Sequence, residues 1–194
     1  MCDFTVPDGL KDSSFLLNAC HSSHVRTSRR LRTVRHISPT SPPTNPRRST
    51  ELGVIVLQLR PDVAPVTVAH ISKLVSHKLF DATTFYRSDF VIQCGLHGTG
   101  KVNPYPALAV NETKLSNTRG TAAIAHWDVP DCGNAEFFIN LGDNAHLDSA
   151  YGGYCVFAAV AADDAASWVA CDAIAKAIAK GGKKSVALTK AELF

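Results

Sequence analysis

The residues best suited to chemistry lie between residues 83 and 95, where one arginine precedes a short apolar strand. Arg87 comes a few residues before the strand, and Gln93 lies within it. Because residues two apart in a strand share a face, Val91 and Gln93 point the same way. The segment therefore predicts an apolar surface that carries one guanidinium and one amide. Such a surface suits an uncharged ligand with backbone carbonyls, and it offers no nucleophile.

The elements that must position this segment are predicted from apolar periodicity. Seven runs rich in β-branched and other apolar residues have the length and boundaries of strands. They are 53–59, 85–87, 90–93, 121–125, 137–141, 154–160 and 185–189. Between them, residues 96–118 contain Pro104 and Pro106 and are typical of a long loop with at most one short strand.

Two helices complete the pattern. The first begins around Asp62-Val-Ala-Pro65, since proline is tolerated in a first helical turn. The second covers residues 163–180, where apolar side chains recur at the helical period, and Gly181 ends it. Many short strands with two helices fit a mainly β fold, a closed barrel capped by helices without exposed sheet edges.

Charge is unevenly distributed along the 194 residues, whose formal net charge is +3. Residues 1–50 hold eight Lys or Arg against three Asp, a net +5, which leaves −2 for residues 51–194. The basic character thus belongs to the N-terminal segment and argues against a nucleic-acid-binding domain. Residues 1–48 are rich in Ser, Thr, Arg and Pro without a strand or helix period, so they are predicted to be a disordered tail before a domain at 49–194. Deleting this tail should leave melting temperature and activity nearly unchanged.

The tail leaves the compartment open. Residues 13–50 contain no acidic residue, which is similar to an organelle transit segment, although three aspartates precede them. A solvated basic tail is the alternative. No apolar run approaches the roughly 18 residues of a membrane span, so the chain is expected to be cytoplasmic, with plastid or mitochondrion as the alternative for a transit segment.

Metal binding is not predicted. The six cysteines are scattered, and only Cys94 and His97 have a spacing that two ligands of one metal ion could use. No second pair follows at a suitable distance. No cofactor is expected either, and the thiols are expected to be free.

Five ordered segments together carry a specific resemblance. They are 52–67, 83–95 with its Phe-Tyr-Arg and Phe-Val-Ile-Gln-Cys-Gly, 117–125, 135–141 with its Glu-Phe-Phe-Ile, and 147–157. From about residue 50 to the C-terminus the chain resembles the cyclophilin family of peptidyl-prolyl isomerases. The resemblance implies an eight-stranded antiparallel barrel with a helix at each end. It also implies isomerisation of Xaa-Pro bonds, with no cofactor, in the service of protein folding.

The resemblance also assigns roles to residues. Arg87 would donate a hydrogen bond to the proline nitrogen of the twisted amide, Gln93 would hold the substrate carbonyl, and Phe138 would complete the catalytic group. Seven further residues would bind substrate. Phe90, Val91 and Leu147 would surround the proline ring together with Phe138; the others are Ala125 and His126 through their backbones, His146 at the pocket rim, and Tyr154.

Several departures from the family pattern bear on activity. The stretch between Arg87 and Phe90 is two residues shorter than in the commonest pattern. Four side chains also differ: His146 replaces Trp or Phe, Tyr154 replaces His, Val91 replaces Met and Glu136 replaces Gln. A catalytically weak module that binds proline peptides is therefore the alternative function. The expected partners are proline-containing polypeptides. The domain is expected to be a monomer that binds neither nucleic acid nor membrane. In a third hypothesis, the basic tail tethers the domain to nucleic acid or to a membrane surface.

Overall fold

The computed structural model of the chain describes residues 14–21, 51–179 and 185–194. These residues form eight strands and two α-helices. In chain order they are β1 Ser14–His21, β2 Glu51–Leu59, α1 Pro65–Ser76, β3 Thr83–Ser88, β4 Val91–Gly95, β5 Thr121–Ile124, β6 Phe137–Asn140, β7 Val156–Ala159, α2 Ala165–Ala179 and β8 Val186–Leu193. The strands close into one barrel in the order β1-β2-β7-β5-β6-β4-β3-β8, with every described pair antiparallel. The predicted barrel with two helices is confirmed.

The eighth strand comes from the segment that the sequence assigns to a disordered tail. Strand β1 pairs with β2 from Ser14 to Cys20 and with β8 from Phe15 to His21, and so closes the barrel. The domain boundary predicted at residue 49 therefore does not hold for Ser14–His21. The rest of the predicted tail, 1–13 and 22–48, lies outside the described residues.

The burial of β1 explains why it belongs to the domain. Phe15, Leu17 and Ala19 are buried in the barrel core, at the two-residue period of a strand with one face inside. The Phe15 ring meets Phe137 edge-on at 6.0 Å between centroids and stacks on Phe157 at 6.4 Å. Burying an aromatic side chain in contact with others stabilises a fold by a few kcal/mol, about 3–5 when measured by truncation to alanine. Because β1 is paired and buried, we now expect that a deletion which includes it would lower stability, in contrast to the prediction from the sequence.

The loop between β4 and β5 contributes to helix α1 rather than to the sheet. Pro65 is the first helical residue, and its predecessor provides no side-chain cap. Glu112 fills that place: its carboxylate accepts hydrogen bonds from the N–H groups of Val66 (3.3 Å) and Thr67 (2.9 Å). A carboxylate there satisfies free donors and complements the helix dipole. The structure describes all of residues 96–118, and none of them lies in a strand.

Among the described residues, no helix is both long and apolar enough to cross a bilayer.

Candidate active site

A second apolar cluster, separate from the barrel core, lines a cavity of about 590 Å³ beside β4 and β6. In β4, Ile92 lies in the barrel core while Val91 belongs to the second cluster. In β6, Phe137 lies in the core and Phe138 in the second cluster. The alternation of side chains along a strand thus serves two apolar environments, one in the barrel and one at the cavity. Leu147 joins the second cluster from the turn Ala145–Asp148.

A bulge in β3 brings two consecutive polar residues to this cavity. Phe85 pairs with Cys94 and Arg87 pairs with Gln93, so Tyr86 is an extra residue opposite β4. Phe85 stays buried in the core, whereas both Tyr86 and Arg87 line the cavity. Bulges often redirect side chains in this way at functional sites. Without the bulge, strict alternation would direct one of these two side chains away from the cavity.

Arg87 is held on two sides. Its Nε donates to Asp89 Oδ2 at 2.8 Å, and its Nη2 lies 2.7 Å from the same oxygen. On the other side Nη1 donates to Gln93 Oε1 at 3.0 Å. The guanidinium carbon lies 5.4 Å from the centre of the Phe90 ring. The cation is therefore oriented by three neighbours at the cavity rim.

A chain of hydrogen bonds continues from Gln93 across the cavity wall. Gln93 Nε2 donates to the Tyr86 hydroxyl at 2.7 Å, and that hydroxyl donates to Glu136 Oε2 at 2.7 Å. The second carboxylate oxygen of Glu136 accepts from the backbone N–H of His97 at 2.7 Å. Burial, together with the hydrogen bond to Glu136, raises the pKa of Tyr86, so its hydroxyl remains a neutral donor. This series of hydrogen bonds thus fixes the orientation of the Gln93 amide.

Comparison with known proteins agrees with this geometry. The family model described as cyclophilin-type peptidyl-prolyl cis-trans isomerase/CLD matches residues 47–190. This chain belongs to the cyclophilin-type family. Among its relatives, a peptidyl-prolyl cis-trans isomerase of Acinetobacter baylyi is 35% identical over 118 residues, which cover 57% of this chain and 63% of that protein. Peptidyl-prolyl cis-trans isomerase B of Escherichia coli is 37% identical over 121 residues, 57% of this chain and 74% of that protein.

The aligned region spans less than two thirds of the Acinetobacter protein and about three quarters of the Escherichia coli protein. A solved structure of a cyclophilin-type isomerase from Cryptosporidium parvum, crystallised in the presence of the dipeptide Ala-Pro, superposes with a TM-score of 0.62. The superposition covers 74% of this chain and 94% of that one at 17% identity, and so shows a common fold.

In this cyclophilin-type domain the turn that carries Leu147 is anchored by a carboxylate. Asp148 accepts hydrogen bonds from the backbone N–H and the side-chain amide of Asn117, at 2.7 and 3.0 Å, and from the Ser116 hydroxyl. Burial alone would raise the pKa of Asp148, but these hydrogen bonds lower it below its ordinary value. The ionised form is therefore the one that ties the turn to the preceding loop and sets the position of Leu147.

The structure places all the predicted site residues at the cavity, with contacts that refine some expected roles. His146 lies edge-on to Phe90 at 5.4 Å between ring centroids, and Tyr154 lies edge-on to Phe138 at 5.6 Å. The backbone N–H of Ala125 donates to the Glu136 carbonyl at 2.8 Å. This donor is occupied, and a substrate would have to use the Ala125 carbonyl or the backbone of His126.

Sequence reasoning missed part of the cavity wall. Tyr86, His97 and Trp127 line the cavity as well, and Trp127 is 82% exposed. The sequence contained a signal for Tyr86, which is adjacent to Arg87 and whose hydroxyl is complementary to the Glu136 carboxylate. It contained no signal for Trp127, an apolar side chain in a polar loop. Cys94, considered as a metal ligand, is fully buried, and burial raises the pKa of its thiol. No group of three or more potential ligand side chains occurs within the described residues.

Proposed function

We propose that this chain catalyses cis–trans isomerisation of Xaa-Pro bonds in extended or unfolded polypeptides and thereby assists protein folding. One observation carries the proposal: the Arg87 guanidinium is oriented by Asp89 and Gln93 at the rim of an apolar cavity that is separate from the core. Membership of the cyclophilin-type family supports it.

Isomerisation requires rotation about a tertiary amide. The barrier is about 20 kcal/mol, and the uncatalysed event takes tens of seconds. Twisting the bond breaks its resonance and returns a lone pair to the proline nitrogen. A cation that donates a hydrogen bond to that nitrogen stabilises the twisted amide more than the planar one, which is the condition for catalysis. Arg87 suits this step because arginine stays charged and its donors have a rigid geometry.

The cavity supplies the complementary binding surface. Val91, Phe138 and Leu147 are buried or nearly so and offer an apolar surface for the proline ring. Gln93 donates through one amide N–H to Tyr86, and an amide has a second N–H for the substrate carbonyl. These groups would bind the planar and the twisted amide alike, whereas Arg87 would discriminate between them.

The proposal is tested by a coupled isomerisation assay on short Xaa-Pro peptides. The wild type should accelerate the cis-to-trans step over the uncatalysed rate, and a folded Arg87→Ala variant should lose at least about tenfold of kcat/KM. A folded wild-type protein that does not accelerate isomerisation of any proline peptide would overturn the proposal.

A binding module without useful catalysis is the second candidate, and the Arg87–Asp89 pair favours it. Asp89 lies on the shortened stretch after Arg87, and its carboxylate occupies one edge of the guanidinium. A competing carboxylate reduces what the cation can offer a substrate. A binding titration combined with a rate measurement distinguishes the two functions. A binding module would bind proline peptides in the titration and leave their isomerisation rate at the uncatalysed value.

We further propose that the domain acts as a cytoplasmic monomer on proline-containing polypeptides, without nucleic acid or membrane. The net charge of −2 over residues 51–194 supports the lack of affinity for nucleic acid. The compartment is supported by β1, because removal of a transit segment ending near residue 48 would remove a barrel strand. Light scattering after gel filtration tests the monomer, and fractionation of cells tests the compartment. A dimer mass, or recovery of the protein in plastids or mitochondria, would contradict these proposals.

A further inference from the structure

Asp89 occupies an unusual place in the hairpin between β3 and β4. One carboxylate oxygen, Oδ1, accepts a hydrogen bond from the backbone N–H of Val91 at 3.1 Å. The backbone N–H of Asp89 in turn donates to the Val91 carbonyl at 3.0 Å. The side chain is therefore tied to the first residue of β4, whose own side chain lines the cavity. This leaves Oδ2 at a fixed position, and it is Oδ2 that faces Arg87.

Arg87 is consequently held between two fixed acceptors. Asp89 Oδ2 takes the edge formed by Nε and Nη2, and Gln93 Oε1 takes Nη1. A guanidinium has five N–H donors in one plane, and each of Nη1 and Nη2 carries two of them, so each has a further donor for a substrate. The guanidinium carbon also lies over the Phe90 ring, 5.4 Å from its centre. The group that meets the twisted amide is thus oriented before any substrate binds.

We propose that Asp89 is a positioning residue that pre-orients Arg87 for the isomerisation step. The inference rests on the proposed function. It does not attribute stability to the pair, because both side chains are about two-fifths exposed, at 43% and 41%, and exposed ion pairs contribute little. Orientation acts differently: displacing a catalytic group by about 1 Å can reduce a rate about a hundredfold.

The chain contains a matched control pair. Arg60 and Asp62 have the same spacing, with Nε donating to Oδ1 at 2.9 Å and Nη2 donating to Oδ2 at 2.6 Å. Their side chains are 39% and 57% exposed, and neither lines the cavity. The hydrogen bond to Arg60 lowers the pKa of Asp62. A general effect of breaking an Arg-x-Asp pair should therefore appear equally in Asp62→Ala.

The kinetic test compares Asp89→Ala, Asp89→Asn and Asp62→Ala in the coupled isomerisation assay. We expect kcat to fall about tenfold in Asp89→Ala and less in Asp89→Asn, which keeps one acceptor, with KM within about twofold because the apolar cavity is intact. Asp62→Ala should match the wild type. If Asp89 only weakened the charge of Arg87, both Asp89 variants would be faster; a rate that is faster or unchanged overturns the proposal.

A double mutant separates positioning from a general structural effect. Asp89 acts through Arg87, so adding Asp89→Ala to Arg87→Ala should cause no further loss of rate. A further loss in the double mutant would mean that the carboxylate merely maintains the hairpin, and would overturn the proposal.

A spectroscopic measurement tests the inference independently of turnover. The Nε–H resonance of Arg87, assigned by its absence in Arg87→Lys, should show a rigid side chain by ¹⁵N relaxation in the wild type and a mobile one in Asp89→Ala. Equal mobility of the Arg87 side chain in the wild type and in Asp89→Ala would overturn the positioning role. This outcome can be measured whether or not the protein is active. Absence of isomerase activity in a wild type with a rigid Arg87 would instead overturn the proposed function alone.

Discussion

Strand β1 and the β3–β4 hairpin lie on either side of β8 in the barrel and contribute differently to the molecule. Within Ser14–Ala19, strand β1 places three side chains in the core, and none of these six residues lines the cavity. The hairpin also places Phe85 and Ile92 in the core, but five of its residues line the cavity, namely Tyr86, Arg87, Phe90, Val91 and Gln93. Packing of the core and lining of the cavity are two tasks, and substitutions of core residues in β1 and of cavity residues in the hairpin should change different measurements.

The largest expected effect is on stability, from the first region. Phe15→Ala should lower the free energy of unfolding by about 3–5 kcal/mol, because it removes a ring in contact with Phe137 and Phe157. Deleting residues 1–21 removes the whole strand and should prevent cooperative folding. Denaturant titration followed by circular dichroism measures both. Leu16→Ala, on the half-buried face of β1, serves as control and should lose much less. A stable, cooperative protein after the deletion would show that the barrel does not need β1.

The next effect is on rate, from the hairpin. Arg87→Ala should lower kcat/KM at least about tenfold if Arg87 acts on the twisted amide as proposed, and it should leave the melting temperature within a few degrees because the side chain is partly exposed. Arg87→Lys should recover little, since a point charge lacks the paired donors that face Asp89 and Gln93. A normal rate in either folded variant would remove Arg87 from the catalytic role.

Tyr86 tests how completely the two tasks are separated, because it links the hairpin to β6. Tyr86→Phe removes the hydroxyl between Gln93 and Glu136 and leaves a carboxylate oxygen without that donor. We expect a stability loss of about 1.5–3 kcal/mol, as for hydrogen bonds to charged groups, together with a rate loss smaller than that of Arg87→Ala. Thermal unfolding and the isomerase assay on the same samples measure the two. Glu136→Gln leaves one oxygen for two donors, the Tyr86 hydroxyl and the His97 backbone N–H, and should therefore also lose stability. A change in rate without any change in stability would contradict the structural link.

The smallest expected effect is on binding at the cavity rim. His146 lines the cavity and lies edge-on to Phe90, at 5.4 Å between ring centroids. Because an aromatic pair contributes about 0.5–1.5 kcal/mol beyond its buried area, His146→Ala should weaken affinity for a proline peptide by about two- to tenfold, as measured by fluorescence titration. His146→Phe keeps a ring at this place and serves as the control, with affinity close to that of the wild type. Equal affinity of His146→Ala and the wild type would show that this contact does not contribute to binding.

Seven of the eight strands and both helices were predictable because each has a local apolar pattern. The one strand that was missed, β1, has the same two-residue alternation in Phe15, Leu17 and Ala19. Ser- and Arg-rich sequence on its C-terminal side hid that pattern. Its pairing partners, β2 and β8, begin at residues 51 and 186, so the interactions that stabilise it are distant in sequence. A local apolar pattern contains no information about pairing with strands so distant in the sequence.

The sequence by itself predicted which residues would form the candidate site. Val91 and Gln93 could be assigned to one surface because strand geometry puts residues two apart on one face, and the resemblance to the cyclophilin family added Arg87. The tertiary structure alone decided how these residues are arranged. The bulge at Tyr86, the two-sided hold on Arg87 and the link to Glu136 depend on registers between strands and on a short turn. Registers are set by packing of the whole barrel, in which a shift of one residue would reverse every face, and no local pattern contains that constraint.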